Sequence, residues 1–153
     1  MQMINDKFMH MAIEIAKNSG EDLPIGAVLV KNNEVIAQAH NEKELQKQIA
    51  KHAEMIVIEQ ACKKLNTWRL DECSLYVTLE PCPMCAWAIL QSRIKNVYFG
   101  AYDNLYGAFG SKLNLNKLLN TKTNIKGGLL EKECNRILIE YFEKIRNDNK
   151  TKS

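Results

Sequence analysis

Apolar residues recur along this chain in two rhythms, and the places where the rhythm changes mark the elements. Phe8, Met11, Ala12, Ile15 and Ala16 share one face at helical spacing, which predicts a helix over 6–18, closed by the stretch 20–24. His10 falls off that stripe, on the surface side. Residues 25–31 and 34–39 read as two strands around Asn32 and Asn33, a turn pair that tolerates positive φ, so the stretch predicts a β-hairpin. Gly26 inside the first strand marks either a close approach of backbone to a ligand or a strand irregularity. The polar run from Asn41 to Lys51 predicts a loop. A helix follows from His52, with Met55, Ile58, Cys62 and Leu65 on one side and Ile56 and Val57 widening its buried face.

Residues 74–79 form a clean strand pattern bounded by polar Asp71 and Glu72. An apolar helical run, 86–90, comes directly after Cys85. Residues 95–101 alternate as a fourth strand, and 103–111 form a glycine-punctuated loop. That loop, with Tyr102, Tyr106 and Phe109 around it, predicts the rim of a pocket. Leu113, Leu115, Leu118 and Leu119 predict a short helix, 124–128 a weak fifth strand, and the stripe from Leu130 through Cys134, Ile137, Leu138, Tyr141 and Ile145 a last helix. The final five residues, with Lys150 and Lys152, read as a loose solvated end.

Strands and helices interleave after a single hairpin. That order predicts an α/β fold, a three-layer α/β/α sandwich around a mixed sheet. A chain of 153 residues suits one domain with one core, here 1–153. Hydrophobic residues at 46% and charged residues at 25% are ordinary for a soluble globular protein. The net charge of +3 is too mild to identify a nucleic-acid partner. The start of the chain carries no leader pattern and no apolar run approaches the roughly 20 residues of a membrane helix, so a soluble, cytoplasmic protein is expected.

The chemistry concentrates at 78–85. Cys82 and Cys85 sit where a strand becomes a helix, three residues apart, so one turn brings both sulfurs to the same side. Pro83 suits a first helical turn, where its missing N–H has no intrahelical partner. The positive end of a helix favours thiolates, so this start can hold a soft divalent metal. Of the three histidines, only His52 opens a helical run and is followed two residues later by a carboxylate, Glu54. His52, Cys82 and Cys85 make a zinc set with one position left for water, the catalytic pattern. Glu54 lies close enough to such a water to move its protons. Cys62, Cys73 and Cys134 are spread out, which argues against a disulfide framework, and Cys62 and Cys134 fall on apolar stripes as small core residues. Taken alone, Cys82-Pro83-Met84-Cys85 also resembles a thioredoxin-like redox motif, but that motif needs neither His52 nor Glu54.

These motifs, together with Gly26 to Val30, His40-Asn41, Ser92 to Ile94, Phe99 to Ala101, Asp103, Gly107-Ala108 and Gly110-Ser111, resemble the bacterial tRNA-specific adenosine deaminases of the cytidine deaminase superfamily. The likeness runs from about 4 to 146. It implies a cytidine-deaminase-like fold with five strands, one Zn2+ per chain, and hydrolytic deamination of the wobble adenosine to inosine. It also implies a tRNA anticodon loop as partner and a homodimer. Asn41 matches the residue that contacts the target nucleoside. Asp103 lies in the block that points to the tRNA enzymes, and Phe142 and Arg146 match positions on the last helix near the RNA. The chain departs from the family before His52, where Gln48 to Lys51 replace an Asp-Pro-Thr-like cap, and at Trp87, which replaces a small residue. Trp87 belongs either to the core or to a subunit contact, and Trp68 reads as a packing residue. The metal motif is common to the superfamily, so a guanine, cytosine or cytidine deaminase acting on a free base or nucleoside stands as the alternative.

Overall fold

The computed structural model describes residues 4–151. Five strands form one mixed sheet in the order β2-β1-β3-β4-β5. The hairpin β1 (Gly26–Lys31) and β2 (Glu34–His40) turns through Asn32 and Asn33 at φ 52° and 61°, two left-handed residues, as a two-residue hairpin loop requires. β1 also runs antiparallel to β3 (Cys73–Leu79), while β3, β4 (Asn96–Ala101) and β5 (Asn124–Lys126) are mutually parallel. The parallel half places the carboxyl ends of β3 and β4 together, and the site described below forms there.

Side-chain alternation along the strands sends two sets of residues to two faces. Leu29, Leu75, Val77, Val97 and Phe99 pack under α3 (Ala53–Leu65) and α4 (Pro83–Gln91). Val28, Val30, Tyr76 and Tyr98 pack under α1 (Asp6–Ala16) and the first half of α6 (Glu131–Thr151). The result is the expected three-layer α/β/α arrangement, with two short helices, α2 (Lys43–Gln46) inside the 41–51 loop and α5 (Leu115–Leu118) beyond β4. Among the described residues, no helix is long and apolar enough to cross a membrane.

Several local expectations need correction. α1 buries Phe8, Met9, Ala12, Ile13 and Ala16, so its inner face is rotated from the expected stripe and Met11 and Ile15 lie on its flank. α3 is centred on Ala53, Ile56, Val57 and Ala61, because small alanines let the helix lie close to the sheet, and Cys62 is only half-buried. Gly26 has a packing reason: a Cβ there would stand 1.9 Å from the carbonyl oxygen of Ala12, so glycine is what lets α1 lie against β1. Gly100 makes the equivalent room for the Cys134 sulfur of α6. Trp68 is 60% exposed beneath the Arg69 guanidinium, and Trp87 is 53% exposed on the outer face of α4, so neither is a core residue. β5 ends at Lys126, two residues short of the expected strand. α6 continues to Thr151, into the stretch expected to be loose, and Lys152 lies outside the described residues.

Candidate active site

Helix starts normally use a Ser, Thr, Asp or Asn side chain to satisfy a free backbone N–H. Here the two capping positions are occupied by His52 for α3 and Cys82 for α4, and neither side chain makes a capping hydrogen bond. Both are thereby left free for the space between the helices. The missing cap on α3 comes from elsewhere: the buried Asn41 at the end of β2 reaches across, and its Oδ1 accepts the Ala53 N–H at 2.8 Å. Pro83 opens α4 where no N–H is needed, and the Ala108 N–H donates to the Pro81 carbonyl at 2.8 Å, fixing the approach to that helix.

The side chains released in this way converge. His52 Nδ1 lies 3.6 Å from Cys82 Sγ and 3.4 Å from Cys85 Sγ, and the three ligand atoms lie within 4.8 Å of one another. Two bonds of about 2.0 Å to nitrogen and 2.3 Å to sulfur meeting at a tetrahedral angle place N and S about 3.5 Å apart. The observed separations therefore fit a zinc ion, and the donor set suits one. The positive ends of two helices face the same point and favour thiolates. In the protein alone, donation from the Cys85 S–H holds Cys82 down to about 4 and pushes Cys85 up. Cys82 in turn draws a proton toward His52 and raises it. A metal takes the deprotonated ligands, so its binding releases these protons.

Glu54, one residue into α3, is buried, and its Oε1 has no hydrogen-bond partner among the described residues. Burial raises its pKa to about 7. A carboxyl group poised there can both accept and return a proton near neutral pH. An unpartnered buried oxygen beside three metal-ligand atoms is a group whose partner is supplied by what binds.

His52, Glu54 and Cys82 line a cavity of about 480 Å3, in the range of small-ligand pockets. Asn41 and Asp103 line it too. Asp103 is committed to its own loop, its Oδ1 accepting the N–H groups of Leu105 and Tyr106 at 3.0 and 3.1 Å. Phe142 and Arg146 do not line the cavity. They lie one turn apart on the exposed end of α6, just past Tyr141, which does line it.

Three groups escaped the sequence reading. Glu80, fully buried at the end of β3, accepts the backbone N–H groups of Asp103, Phe109 and Ser111, each at 3.1 Å, and the Ser111 hydroxyl. It fastens the 103–111 loop to the sheet. Asp22, also buried, accepts the N–H groups of Glu44 and Leu45 at 2.7 and 3.2 Å, which holds the loop before His52 in place without the family's proline. The Tyr141 hydroxyl donates to the Glu21 carbonyl at 3.0 Å and ties α6 to the same rim. Acidic residues directly after a strand and directly before Leu23-Pro24 are the only sequence signals Glu80 and Asp22 carry, and Tyr141 was legible only as part of the last helix's stripe.

A parallel-sheet edge with two helix starts that present His, Cys, Cys and a buried Glu defines a deaminase, and the sequence model of the MafB19-like deaminase family matches residues 3–146. The chain is 46% identical over 150 residues to the tRNA-specific adenosine deaminase of Bacillus subtilis, covering 95% of this chain and 93% of that one. A solved structure from work on A-to-I editing by tRNA:A34 deaminases superposes with a TM-score of 0.84 at 40% identity, over 88% of this chain and 100% of that one. The guanine deaminase of Bacillus subtilis gives 0.62 at 39% identity, over 65% of this chain and 66% of that one. The chain belongs to the tRNA-specific adenosine deaminases.

Replacing Cys82 by Ser should remove most of the bound zinc, because a hydroxyl is a poor substitute for a thiolate. Metal analysis of the purified variant checks this, and full retention of zinc would show that the ligand set is wrong.

Proposed function

We propose that the protein converts the wobble adenosine of tRNA to inosine, consuming water and releasing ammonia. The observation that carries the chemistry is the buried, unpartnered Glu54 Oε1 beside the His52, Cys82 and Cys85 ligand atoms. Near full-length similarity to tRNA-specific adenosine deaminases supports the substrate. One zinc per chain, held by those three residues, would supply water acidified to a pKa of about 7. Glu54 takes the proton of the attacking water at Oε1 and delivers it to the ring nitrogen beside the reacting carbon. It then transfers the second proton to the leaving amine, so that oxygen replaces nitrogen and Glu54 ends as it began. Asn41, held by its bond to the start of α3, orients the nucleoside, and the Asp103 loop forms the opposite part of its binding site. The site works in the cytoplasm, where tRNA is the partner.

The base must leave the stack to enter the cavity, and a hairpin loop presents unstacked bases at low cost. Phe142 and Arg146, outside the cavity on α6, contact the flanking RNA through stacking and a phosphate contact. The protein works as a homodimer, with the exposed Trp87 and the region around Tyr102 as apolar candidates for the contact. The likeness to guanine deaminase makes free guanine the second substrate to test.

The deciding assay presents the purified, zinc-loaded protein with an anticodon hairpin carrying a wobble adenosine, beside guanine and cytidine. Inosine should form in the hairpin with little turnover of the free compounds. Efficient deamination of guanine with an untouched hairpin would favour the second reading. Glu54→Gln should keep the zinc and the fold yet lose at least about 100-fold in rate, since an amide cannot carry the proton. Substantial turnover by that variant would remove Glu54 from the mechanism. Phe142→Ala with Arg146→Ala should weaken hairpin processing and its salt dependence while zinc content stays constant. Light scattering should give twice the 17.5 kDa chain mass, and a monomer mass would contradict the dimer.

A further inference from the structure

The cavity mouth carries an aromatic ring that the fold does not use. Tyr106 lines the cavity containing His52 and Glu54 and is 65% exposed. Among the described residues its ring meets no other ring and its hydroxyl has no hydrogen-bond partner. Its neighbours differ: Tyr102 packs edge-on against Phe99 at 5.1 Å, and Phe109 is buried.

The backbone under Tyr106 is held firmly. Asp103 Oδ1 accepts its N–H at 3.1 Å, and the following residue, Gly107, donates to the Asp103 carbonyl at 2.9 Å. Gly107 has to be glycine, because a Cβ would stand 2.4 Å from the carboxyl carbon of Glu80. The turn is therefore seated on the buried carboxylate that also holds Asp103, Phe109 and Ser111. A large ring on a turn fixed at both sides is a platform that loses little conformational entropy when something stacks on it. Lys43 lines the same cavity and has no ion-pair partner among the described residues, so an anion reaching the mouth finds a cation there.

We infer that Tyr106 is a specificity-determining residue, whose ring stacks on the base next to the reactive adenosine while Lys43 meets a phosphate of the same strand. The inference rests on the proposed action on RNA. A nucleoside inside the cavity leaves the mouth to whatever is attached to it; in a polynucleotide that is a phosphate and a neighbouring base, and every base has a π-face. A free base brings neither, so this pair of residues rewards a strand over a monomer.

The test uses the zinc-loaded protein and two anticodon hairpins, with 2-aminopurine on the 5′ side of the wobble adenosine in one and on the 3′ side in the other. Binding should quench the fluorescence of one of the two probes. Tyr106→Ala should lose that quenching and raise KM for the unlabelled hairpin roughly five-fold or more, with a smaller change in kcat. Tyr106→Phe and Tyr106→Trp should restore both, which a merely structural role for the tyrosine hydroxyl would not allow. Unchanged quenching and KM in Tyr106→Ala, with hairpin deamination intact, would overturn the inference alone. A wild-type protein that does not deaminate the hairpin would overturn the proposed function, and this inference with it.

Discussion

Three ligand atoms from two helix starts must meet within a few ångströms, and most of this structure serves that convergence. His52 and Cys82 can face each other only because neither caps its own helix. Asn41 supplies the cap α3 lacks, which ties the end of β2 to the start of α3 that carries His52. The parallel pairing of β3 and β4 delivers Cys82 and the 103–111 loop to the same end of the sheet. Glycine at 26 and 100 lets α1 and α6 close down on the sheet that holds everything in register.

The same convergence makes the burial of Glu54 chemically useful. Burying a carboxylate is costly in a protein interior, and burial raises the Glu54 pKa to about 7, with Oε1 left unpartnered among the described residues. The residue sits one position inside a helix whose start carries His52, so its placement beside His52, Cys82 and Cys85 is set by helical backbone rather than by a flexible loop. The surrounding loops are held by carboxylates of a different kind. Glu80 and Asp22 are satisfied by several backbone N–H groups each, and they act as fasteners of the cavity wall. Glu54 differs from both in keeping one oxygen, Oε1, without a partner among the described residues.

What the sequence revealed was what depends on near neighbours. The hairpin was legible because Asn32 and Asn33 both accept positive φ, and the convergence of His52, Cys82 and Cys85 was legible because each lies within a few residues of a helix start. The family likeness then extended that reading to the whole fold. Glu80 was not legible: its partners lie 23, 29 and 31 residues further along, and nothing local distinguishes it from any other residue at a strand end. The need for glycine at 26 comes from the carbonyl of Ala12, on a helix whose angle to the strand is a tertiary property. The inner face of α3 was misplaced because reading a stripe favours large side chains, whereas Ala53 and Ala61 set its closest approach; that of α1 was rotated toward Met9 and Ile13 and away from Met11 and Ile15. Trp87 and Trp68 show the converse, large apolar residues that the fold leaves on the surface.

The account turns on a metal centre with three protein ligands and an open position. X-ray absorption at the zinc edge of the purified protein tests it most directly. It should report two sulfur neighbours at about 2.3 Å and two lighter neighbours, nitrogen or oxygen, at about 2.0–2.1 Å. A centre with three or four sulfurs, or a purified protein that binds no zinc, would contradict it.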